Sequence, residues 1–499
     1  MNYEEAREYL AHVAAAGNRL GLDSVRELMH ELGDPQDACK VVHIAGTNGK
    51  GSVMTFLDCV LREAGIRTGR YHSPAIFEWE EEFQVGGVPI AREKAAELIS
   101  RIALAREAIA RRGGPESTVF EIETALAFLW FAGERCDLVL LECGMGGAED
   151  ATNITQSTVL ELFSAISRDH MQYLGDTTAE IARVKAGILK EGTIAVTDRQ
   201  DDAALEVLRE EAAAKHVDLR VLDPEAITVV QEGLEQQTFV YRSGTPSAPQ
   251  DCTDRRPESQ PAGSEDAVGC GPQDGADRRP EPRSAALESE SCCSSQNRTD
   301  HAPAPQSSVS GADAPYEIHL PGLFQIRNAS LALMAVEALR DLGYDIPEAA
   351  VRRGLCAARW DGRFTVIGHE PLTVMDGAHN EGAARRLRES VDAYFGGRKI
   401  HAIFGVFSDK EYDKIIGIMM PRMERVYTVM TPDNPRALDA GELAKAVAKV
   451  NPHVTAVGDI RQALTLARES AGPDDVVLAF GSLSWLKYLR LYAGEAGLR

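Results

Sequence analysis

The sequence lacks the features that would place the protein in a membrane or direct it out of the cell. No run of eighteen apolar residues occurs in the 499-residue chain, which argues against a helical membrane span. The N-terminal stretch MNYEEAREYLAHV is acidic and amphipathic, whereas a signal peptide begins with a basic segment followed by an apolar one. We therefore expect a cytoplasmic protein that does not bind membranes.

The sequence is also short of positive charge and lacks cysteines in C-x-x-C motifs. The chain has 53 Lys and Arg residues against 76 Asp and Glu residues, and its net charge of −23 argues against a nucleic-acid-binding protein. This charge does not argue against anionic small molecules, because they need only local positive groups. The nine cysteines contain no C-x-x-C pair, so the sequence supports neither a zinc site nor a redox motif, and we expect reduced thiols.

The clearest motif is a glycine-rich loop between an apolar strand and a helix. Residues 41–52 read VVHIAGTNGKGS, and the residues after them have a helical apolar pattern. The backbone N–H groups of such a loop and the N-terminus of the helix can bind phosphate, and Lys50 adds a positive charge. The spacing departs from the Walker A motif, because Gly51 follows Lys50 and Ile44 occupies the position of the upstream glycine. The motif alone indicates a nucleotide or another phosphoanion.

Polar residues follow the other predicted strands of the same region. Ser73, Glu142 and the pair Asp169-His170 each stand at or just after the end of a strand. Because ligands of parallel sheets bind beyond the carboxyl ends of the strands, we expect these residues to share one site with the glycine-rich loop. Glu142 and Asp169-His170 could hold Mg²⁺, and Lys185 adds a cation on a nearby helix. A structural histidine and a solvated lysine are the alternatives for His170 and Lys185.

The composition changes sharply between residues 243 and 315. This segment contains no aromatic residue and no lysine, and twelve acids against six arginines give it a charge of −6. It cannot bury enough apolar surface to offset the entropy of ordering, so we predict that it is a disordered insertion. The flanking segments 237–241 and 316–320 alternate like strands, which predicts a β-hairpin whose turn contains the insertion.

Two series of apolar strands alternating with helices predict an α/β fold with two domains. We expect an N-terminal parallel-sheet ATPase domain with a P-loop over residues 1–323, with the insertion inside it. A smaller Rossmann-like α/β domain is expected over residues 324–499. The residues at the strand ends of this second domain include Asp376, His379 and Ser482.

Six motifs, in this order, resemble those of one known family. They are GTNGKGS at 46–52, ECGMGG with DATN at 142–153, SRDHMQYLG at 167–175, VKAGILKEGT at 184–193, GRF at 362–364 and DGAHN at 376–380. Together they closely resemble the folylpolyglutamate synthase/dihydrofolate synthase family of the Mur ligase superfamily. The resemblance covers nearly the whole chain outside 243–315. It implies a Mur-ligase-like ATP-binding domain followed by a glutamate-ligase domain, with ATP, two magnesium ions and, as a further candidate, K⁺.

The resemblance also implies roles for individual residues. Those implied to bind ATP are Gly49, Lys50, Gly51, Ser52, Asn328, Arg363 and Asp376. Those implied to ligate magnesium are Ser73, Glu142 and His170. Those implied to be catalytic are Lys50, His170 and Lys185, the last as an N6-carboxylysine. Those implied to contact the substrates are Phe120, Glu121 and Asp150 for the pterin-bearing substrate, and His379 and Ser482 for the incoming glutamate.

The reaction implied by the resemblance is the ATP-dependent formation of an amide bond. A substrate carboxylate attacks the γ-phosphate of ATP, and L-glutamate then displaces phosphate from the acyl phosphate. Ala148 and Glu149 depart from the family's GGRLDATN motif and place an acid near the presumed pterin pocket. We therefore expect a folylpolyglutamate synthase, which adds L-glutamate to the γ-carboxylate of folate. We also expect a monomer. A dihydrofolate synthase, which acts on dihydropteroate, and an enzyme with both activities are the alternatives.

Two further interpretations compete with this one. An amide ligase that acts on a cell-wall nucleotide precursor would need a nucleotide-binding domain before the glycine-rich loop, and only about forty residues precede the loop. A catalytically inactive, ATP-binding regulatory protein would be expected to lack Glu142, His170 or Lys185. All three residues are present.

Overall fold

The computed structural model describes residues 1–14, 17, 21–242 and 314–497. The disorder predicted for 243–315 therefore falls almost entirely outside the described residues. Within the described ranges, none of the helices combines the length and the apolar composition that a membrane crossing requires. The strands of these ranges form three sheets.

The first sheet is mostly parallel. Its strands are β1 (Val41–Ala45), β2 (Thr68–Tyr71), β3 (Phe83–Val85), β4 (Val88–Pro89), β5 (Leu138–Glu142), β6 (Thr158–Phe163), β7 (Ile194–Thr197) and β8 (Asp218–Val221). They are ordered β4-β3-β2-β5-β1-β6-β7-β8, and only β3 and β4 at one edge pair in the antiparallel sense. β1 and β5 are buried on both faces, which explains why their sequences are unbroken apolar runs.

Helices cover both faces of this sheet. They are α1 (Tyr3–Ala14), α2 (Asp23–Glu31), α3 (Lys50–Glu63), α4 (Arg92–Arg111), α5 (Val119–Gly133), α6 (Met171–Leu174), α7 (Thr178–Ala186) and α8 (Asp202–Ala214). Alternate side chains of β1 enter different cores, because successive residues of a strand face opposite sides. Val41 packs with α1, α2, α4 and α5, whereas Val42 and Ile44 pack with α3.

The second sheet is small and antiparallel. It contains β9 (Ile227–Gln231), β10 (Gln237–Tyr241) and β11 (Tyr316–Ile318), ordered β11-β10-β9. Gln237 pairs with Ile318, and Phe239 pairs with Tyr316. This is the pairing that the sequence predicts for the segments on either side of the insertion.

Two helices that follow this sheet, α9 (Phe324–Asp341) and α10 (Glu348–Ala357), share the core of the first sheet. Gly354 of α10 lies so close to α3 that an added Cβ would be 2.4 Å from the Cα of Val60. The core of the third sheet starts only at Phe364. We call residues up to Ala357 the first half and residues from Arg363 onwards the second half. The predicted boundary at 323/324 stays a prediction.

The third sheet forms the second half. Its strands are β12 (Thr365–His369), β13 (Leu372–Met375), β14 (Ile400–Phe404), β15 (Arg425–Val429), β16 (Val454–Gly458) and β17 (Val476–Phe480). Its helices are α11 (Glu381–Tyr394), α12 (Tyr412–Met419), α13 (Ala440–Ala448), α14 (Ile460–Ser470) and α15 (Leu486–Glu495). The strand order is β12-β13-β17-β14-β15-β16, with β12 antiparallel to β13 and the remaining pairs parallel.

Candidate active site

The glycine-rich loop joins β1 to α3 in a conformation that requires its glycines. Gly46 and Gly49 have φ angles of 145° and 98°, where a side chain is strained. A Cβ on Gly49 would lie 2.8 Å from Oδ1 of Asn328, and one on Gly51 would lie 2.7 Å from the Trp360 ring. The loop therefore has close neighbours on both sides, and α3 starts directly after Gly49. Free N–H groups in the first turn of α3 are suited to phosphate.

The start of α9 supports the same loop. The Asn328 amide donates to Oε1 of Gln325 over 2.9 Å, and the Gln325 amide donates to Oγ of Ser52 over 3.3 Å. All three side chains are buried. Asn328, one of the predicted ATP-binding residues, thus lies beside Gly49–Ser52 although 276 to 279 positions separate them in the sequence.

Two lysines and a glutamate meet where β1 and β5 end. Lys185 on α7 donates to the carbonyl oxygen of Gly46 over 2.9 Å, and Lys50 donates to the same oxygen over 3.3 Å. Nζ of Lys50 is also 3.4 Å from Oε1 of Glu142. Burial lowers the pKa of Lys185 to about 8, and the charge of Lys50 contributes to this shift. Burial raises the pKa of Glu142, against the opposing charge of Lys50.

Two of the predicted magnesium ligands line one cleft, and the third, Glu142, belongs to the lysine and glutamate cluster. Ser73 follows β2 and His170 follows β6, and both line the same cleft. Burial lowers the pKa of His170 to about 4, so the imidazole is neutral at pH 7 and its lone pair is free for a ligand. The buried Glu142 carboxylate and the Ser73 hydroxyl offer the oxygen atoms that Mg²⁺ prefers. The chemistry of these donors therefore suits a divalent cation, and their binding of one ion stays a prediction.

The two predicted ATP-binding residues of the second half flank the β12-β13 hairpin, Arg363 before β12 and Asp376 after β13. Asp376 accepts hydrogen bonds from the backbone N–H groups of Phe364 and Ala378, each over 2.8 Å. It thereby holds the GRF and DGAHN segments together. Burial raises the pKa of Asp376, against the positive charge of Arg363, which also acts on Glu142 in the first half. The guanidinium of Arg363 is thus close to the lysine and glutamate cluster.

A network of hydrogen bonds connects the two halves beside this site. The side-chain amides of Asn48 and Asn380 exchange hydrogen bonds of 3.1 and 3.2 Å. Asn380 also donates to Asp169 over 2.9 Å, and Lys410 donates to the other oxygen of Asp169 over 2.7 Å. Burial acts to raise the pKa of Asp169, but His379 and Lys410 hold it well below its ordinary value. Asp169 therefore remains an anion that the second half neutralises.

A cleft of about 480 Å³ extends from this network. It is lined by all five residues predicted to contact the substrates: Phe120, Glu121, Asp150, His379 and Ser482. The acids that line it all come from the first half: Glu82, Glu121, Glu123, Glu149 and Asp150. The basic residues from the second half that line it are His379, Lys410 and Arg436. The cleft is therefore acidic along one wall and basic along the other.

Two of the predicted substrate residues on the acidic wall of the cleft accept hydrogen bonds from nearby backbone N–H groups. Glu121 forms a capping box at the start of α5, accepting from the Thr118 N–H over 2.6 Å, and the Ser24 hydroxyl also donates to it. Asp150 accepts from the Met145 N–H over 2.7 Å and from the Thr152 N–H over 3.0 Å. Both side chains face the cleft, but much of their hydrogen-bonding capacity is already occupied within the protein.

His379 and Ser482 line the opposite wall of the cleft, which comes from the second half. Nδ1 of His379 lies 2.8 Å from the Gly377 carbonyl oxygen, so this nitrogen is the donor and Nε2, 3.6 Å from Asp169, faces the network. The Ser482 hydroxyl accepts from the Ser484 N–H over 3.3 Å. Lys410 and Arg436 were not among the predicted site residues. They lie six and seven residues after the ends of β14 and β15, farther along their loops than Ser73 and Glu142, so a rule limited to the strand ends does not select them.

Comparisons with known proteins agree with this architecture. The middle domain of Mur ligases matches residues 44–241, and their glutamate ligase domain matches residues 362–483. The chain is 30% identical over 496 residues to the dihydrofolate synthase/folylpolyglutamate synthase of Bacillus subtilis, covering 98% of each protein. It is 27% identical over 490 residues to the folylpolyglutamate synthase of Lacticaseibacillus casei, covering 97% of this chain and 96% of that one.

A solved structure extends the comparison to three dimensions. The fold is similar to that of Mycobacterium tuberculosis folylpolyglutamate synthase complexed with ADP and AMPPCP, with a TM-score of 0.78 and 25% identity over 99% of both chains. The predicted fold class is confirmed: a parallel-sheet N-terminal region is followed by a separate C-terminal α/β region.

Proposed function

This chain belongs to the dihydrofolate synthase/folylpolyglutamate synthase family, and on that premise we propose that it adds L-glutamate to the γ-carboxylate of folate at the expense of ATP. The observation that carries the proposal is the cleft with one acidic and one basic wall beside the glycine-rich loop. The pterin ring of a folate presents N–H donors, which suit carboxylates. The incoming glutamate presents two carboxylates, which suit Lys410, Arg436 and His379.

ATP would bind with its phosphates on the glycine-rich loop. Gly49, Lys50, Gly51 and Ser52 would contact the phosphates, with Asn328 beside them. Lys50 would offset the negative charge that builds up on the transferring γ-phosphoryl group. Arg363 and Asp376 would contact the nucleotide from the second half, where Asp376 already organises the loop that carries Arg363.

Ser73, Glu142 and His170 would hold magnesium, which supplies charge neutralisation during phosphoryl transfer. Lys185 is an unexpected residue beside a magnesium site. As an ammonium it would share the Gly46 carbonyl oxygen with Lys50, and its positive charge would repel the magnesium ion. We propose that its neutral amine adds to CO₂, which forms a C–N bond and releases one proton. The resulting carbamate places an anion beside Lys50 and toward the metal ligands.

The reaction would then proceed in two steps. The folate γ-carboxylate attacks the γ-phosphorus of ATP, the bond to the bridging oxygen breaks, and an acyl phosphate and ADP result. The amine of L-glutamate attacks the acyl carbon, phosphate leaves, and the ammonium-derived protons pass to solvent or phosphate. His379, Lys410 and Ser482 would position the glutamate, and contact between the halves would keep water from the acyl phosphate.

The test is ADP release by the full chain in the presence of L-glutamate and a reduced folate. We expect ADP formation that requires both, and product with one more glutamate by mass spectrometry. Dihydropteroate is run beside tetrahydrofolate, since the Bacillus subtilis relative is named for both activities. The proposal fails if neither substrate raises ADP production above that of a Lys50→Met variant. Two magnesium ions, K⁺, a monomeric state and a cytoplasmic location stay predictions.

A further inference from the structure

One buried carboxylate in the cleft has an oxygen without a partner. Glu82 lies in the 3₁₀ turn Trp79–Glu82 and is only 6% exposed. Its Oε1 accepts a hydrogen bond of 2.6 Å from the Ala75 N–H. Its Oε2 is buried and has no hydrogen-bond partner within the described part of the chain. An unsatisfied buried acceptor is costly, and Glu82 is one of the residues that line the cleft, so a ligand that reaches this side chain could supply the missing donor.

A second acid lies next to it. Glu123 on α5 lines the same cleft, and the indole N–H of Trp79 donates to it over 2.8 Å. Burial raises the pKa of Glu123 to about 7, and burial together with the charge of Glu123 raises the pKa of Glu82. The charge of Arg7, whose guanidinium lies 4.4 Å from the Trp79 ring, acts to lower both pKa values. Without a ligand the pair therefore favours bound protons, and a ligand that donates hydrogen bonds to it would favour the ionised form, which accepts them.

One aromatic side chain of the cleft, Phe120, is supported by two fully buried rings. Phe120 lines the cleft and stacks on Tyr71, with ring centroids 6.0 Å apart, and Tyr71 stacks on Phe83 at 5.2 Å. Gly144 faces this side chain so closely that a Cβ there would lie 2.5 Å from Cζ of Phe120. A planar ring can rest on such a side chain while its edge reaches a carboxylate.

We propose that Glu82, with Glu123 beside it, accepts hydrogen bonds from the 2-amino-4-oxo edge of the pterin ring and so selects this ring over other aromatic groups. The inference rests on the proposed function, because it takes a folate as the substrate. That edge presents an exocyclic amino group next to a ring N–H, and two parallel donors match the acceptor geometry of carboxylates. The free Oε2 of Glu82 would accept one of these hydrogen bonds, and Glu123 is the neighbouring acceptor.

The test uses the Glu82→Gln variant. Glutamine has the same size and can keep the hydrogen bond from Ala75, but it replaces the free acceptor with a donor. We expect the KM for tetrahydrofolate to rise by about tenfold or more, with the KM values for ATP and L-glutamate within about twofold of wild type. Glu161→Gln is the matched control, because Glu161 is a buried acid that does not line the cleft and bonds to Lys190 and Thr193.

Substrate analogues make the assignment specific. A folate whose 2-amino group is replaced by hydrogen should bind wild type about tenfold more weakly than folate, whereas Glu82→Gln should no longer distinguish the two. A variant that keeps the wild-type preference would overturn the proposal. If Glu82→Gln does not fold, Glu123→Gln is tested in the same way, and the wild-type analogue comparison still decides whether the amino group is recognised.

Direct binding separates this inference from the proposed function. Pterin-6-carboxylate titrated into the full chain, followed by isothermal calorimetry, reports on the ring without turnover. If wild type forms no ADP with any folate, the proposed function fails. If wild type is active but Glu82→Gln and Glu123→Gln both retain the wild-type affinity for pterin-6-carboxylate, only the assignment of the acids fails.

Discussion

Replacing Lys185 by alanine should remove most of the ligase activity while leaving the fold intact. The ammonium form of Lys185 is poorly accommodated, because it is buried and shares the Gly46 carbonyl with Lys50. Its pKa of about 8, against an ordinary 10.5, corresponds to a cost of about 3 kcal/mol for keeping it charged. The variant removes this unfavourable charge, so its thermal midpoint should stay within a few degrees of wild type.

The same pKa favours the carbamate. At pH 7 about one tenth of a lysine with a pKa of about 8 is neutral, roughly 300-fold more than for an unperturbed lysine. Only the neutral amine reacts with CO₂. If the carbamate helps to hold the metal, its loss should lower kcat by about 10²- to 10³-fold, or roughly 3–4 kcal/mol of transition-state stabilisation.

The assay measures ADP release by Lys185→Ala with and without bicarbonate, formate or acetate. These small anions should partly restore the activity by supplying the missing negative charge. Lys190→Ala is the matched control, because Lys190 lies near the end of the same helix but bonds to Asn153, over 2.9 Å. It should remain active and insensitive to the added anions. A Lys185→Ala enzyme with normal activity that ignores bicarbonate would refute the carbamate, and a ¹³C-labelled carbamate signal absent from wild type would also count against it.

Three further predictions concern other parts of the molecule. Asn380→Ala removes the hydrogen bonds to Asn48 and Asp169 and the N-cap of α11, so kcat/KM for L-glutamate should fall about tenfold and the free energy of unfolding by about 1 kcal/mol. Asn380→Ser should restore the stability but not the activity. If both variants are as active as wild type, the network has no role in activity. Burial raises the pKa of Glu161 from 4.5 to about 7, so the folded protein binds more protons than the unfolded chain between these values and stability falls as the pH rises through that window. Glu161→Gln should therefore raise the free energy of unfolding at pH 8 by up to about 3 kcal/mol, and with it the thermal midpoint, but should not do so at pH 4. A shift of equal size at both pH values would contradict this reasoning. Replacing 243–315 by an Asn-Gly turn should leave kcat and the thermal midpoint nearly unchanged, and a large loss of either would show that the insertion contributes to folding or catalysis.

The sequence was most informative where a backbone rule ties residue type to position. The glycine-rich loop needs glycine at 46 and 49. The carboxyl ends of parallel strands meet at one edge, so Ser73 and His170 could be predicted to line one cleft without coordinates. The capping role of Glu121 was also accessible, because Thr118-x-x-Glu121 is a capping-box pattern at a helix start. These relations are local or follow from topology.

Other features depend on packing that no sequence pattern encodes. Glu82 lies in a polar segment that reads as a loop, and its relation to Glu123 arises only because that segment folds against α5. The contact of Lys185 with the Gly46 carbonyl spans 139 positions. Strand β16 has no fully buried residue and lacks an apolar run, so hydrophobic periodicity does not reveal it.

The attachment of α9 to the first sheet has a consequence for the order of binding. Asn328 stays beside the glycine-rich loop whatever the position of the second half, since α9 packs in the core that contains α3. Arg363 instead belongs to the second half. The proposed nucleotide contacts therefore divide into a set that the first half supplies alone and a set that the second half adds. If the halves separate, ATP would dock on the first set before the proposed glutamate contacts, Lys410 and His379, are brought to the cleft.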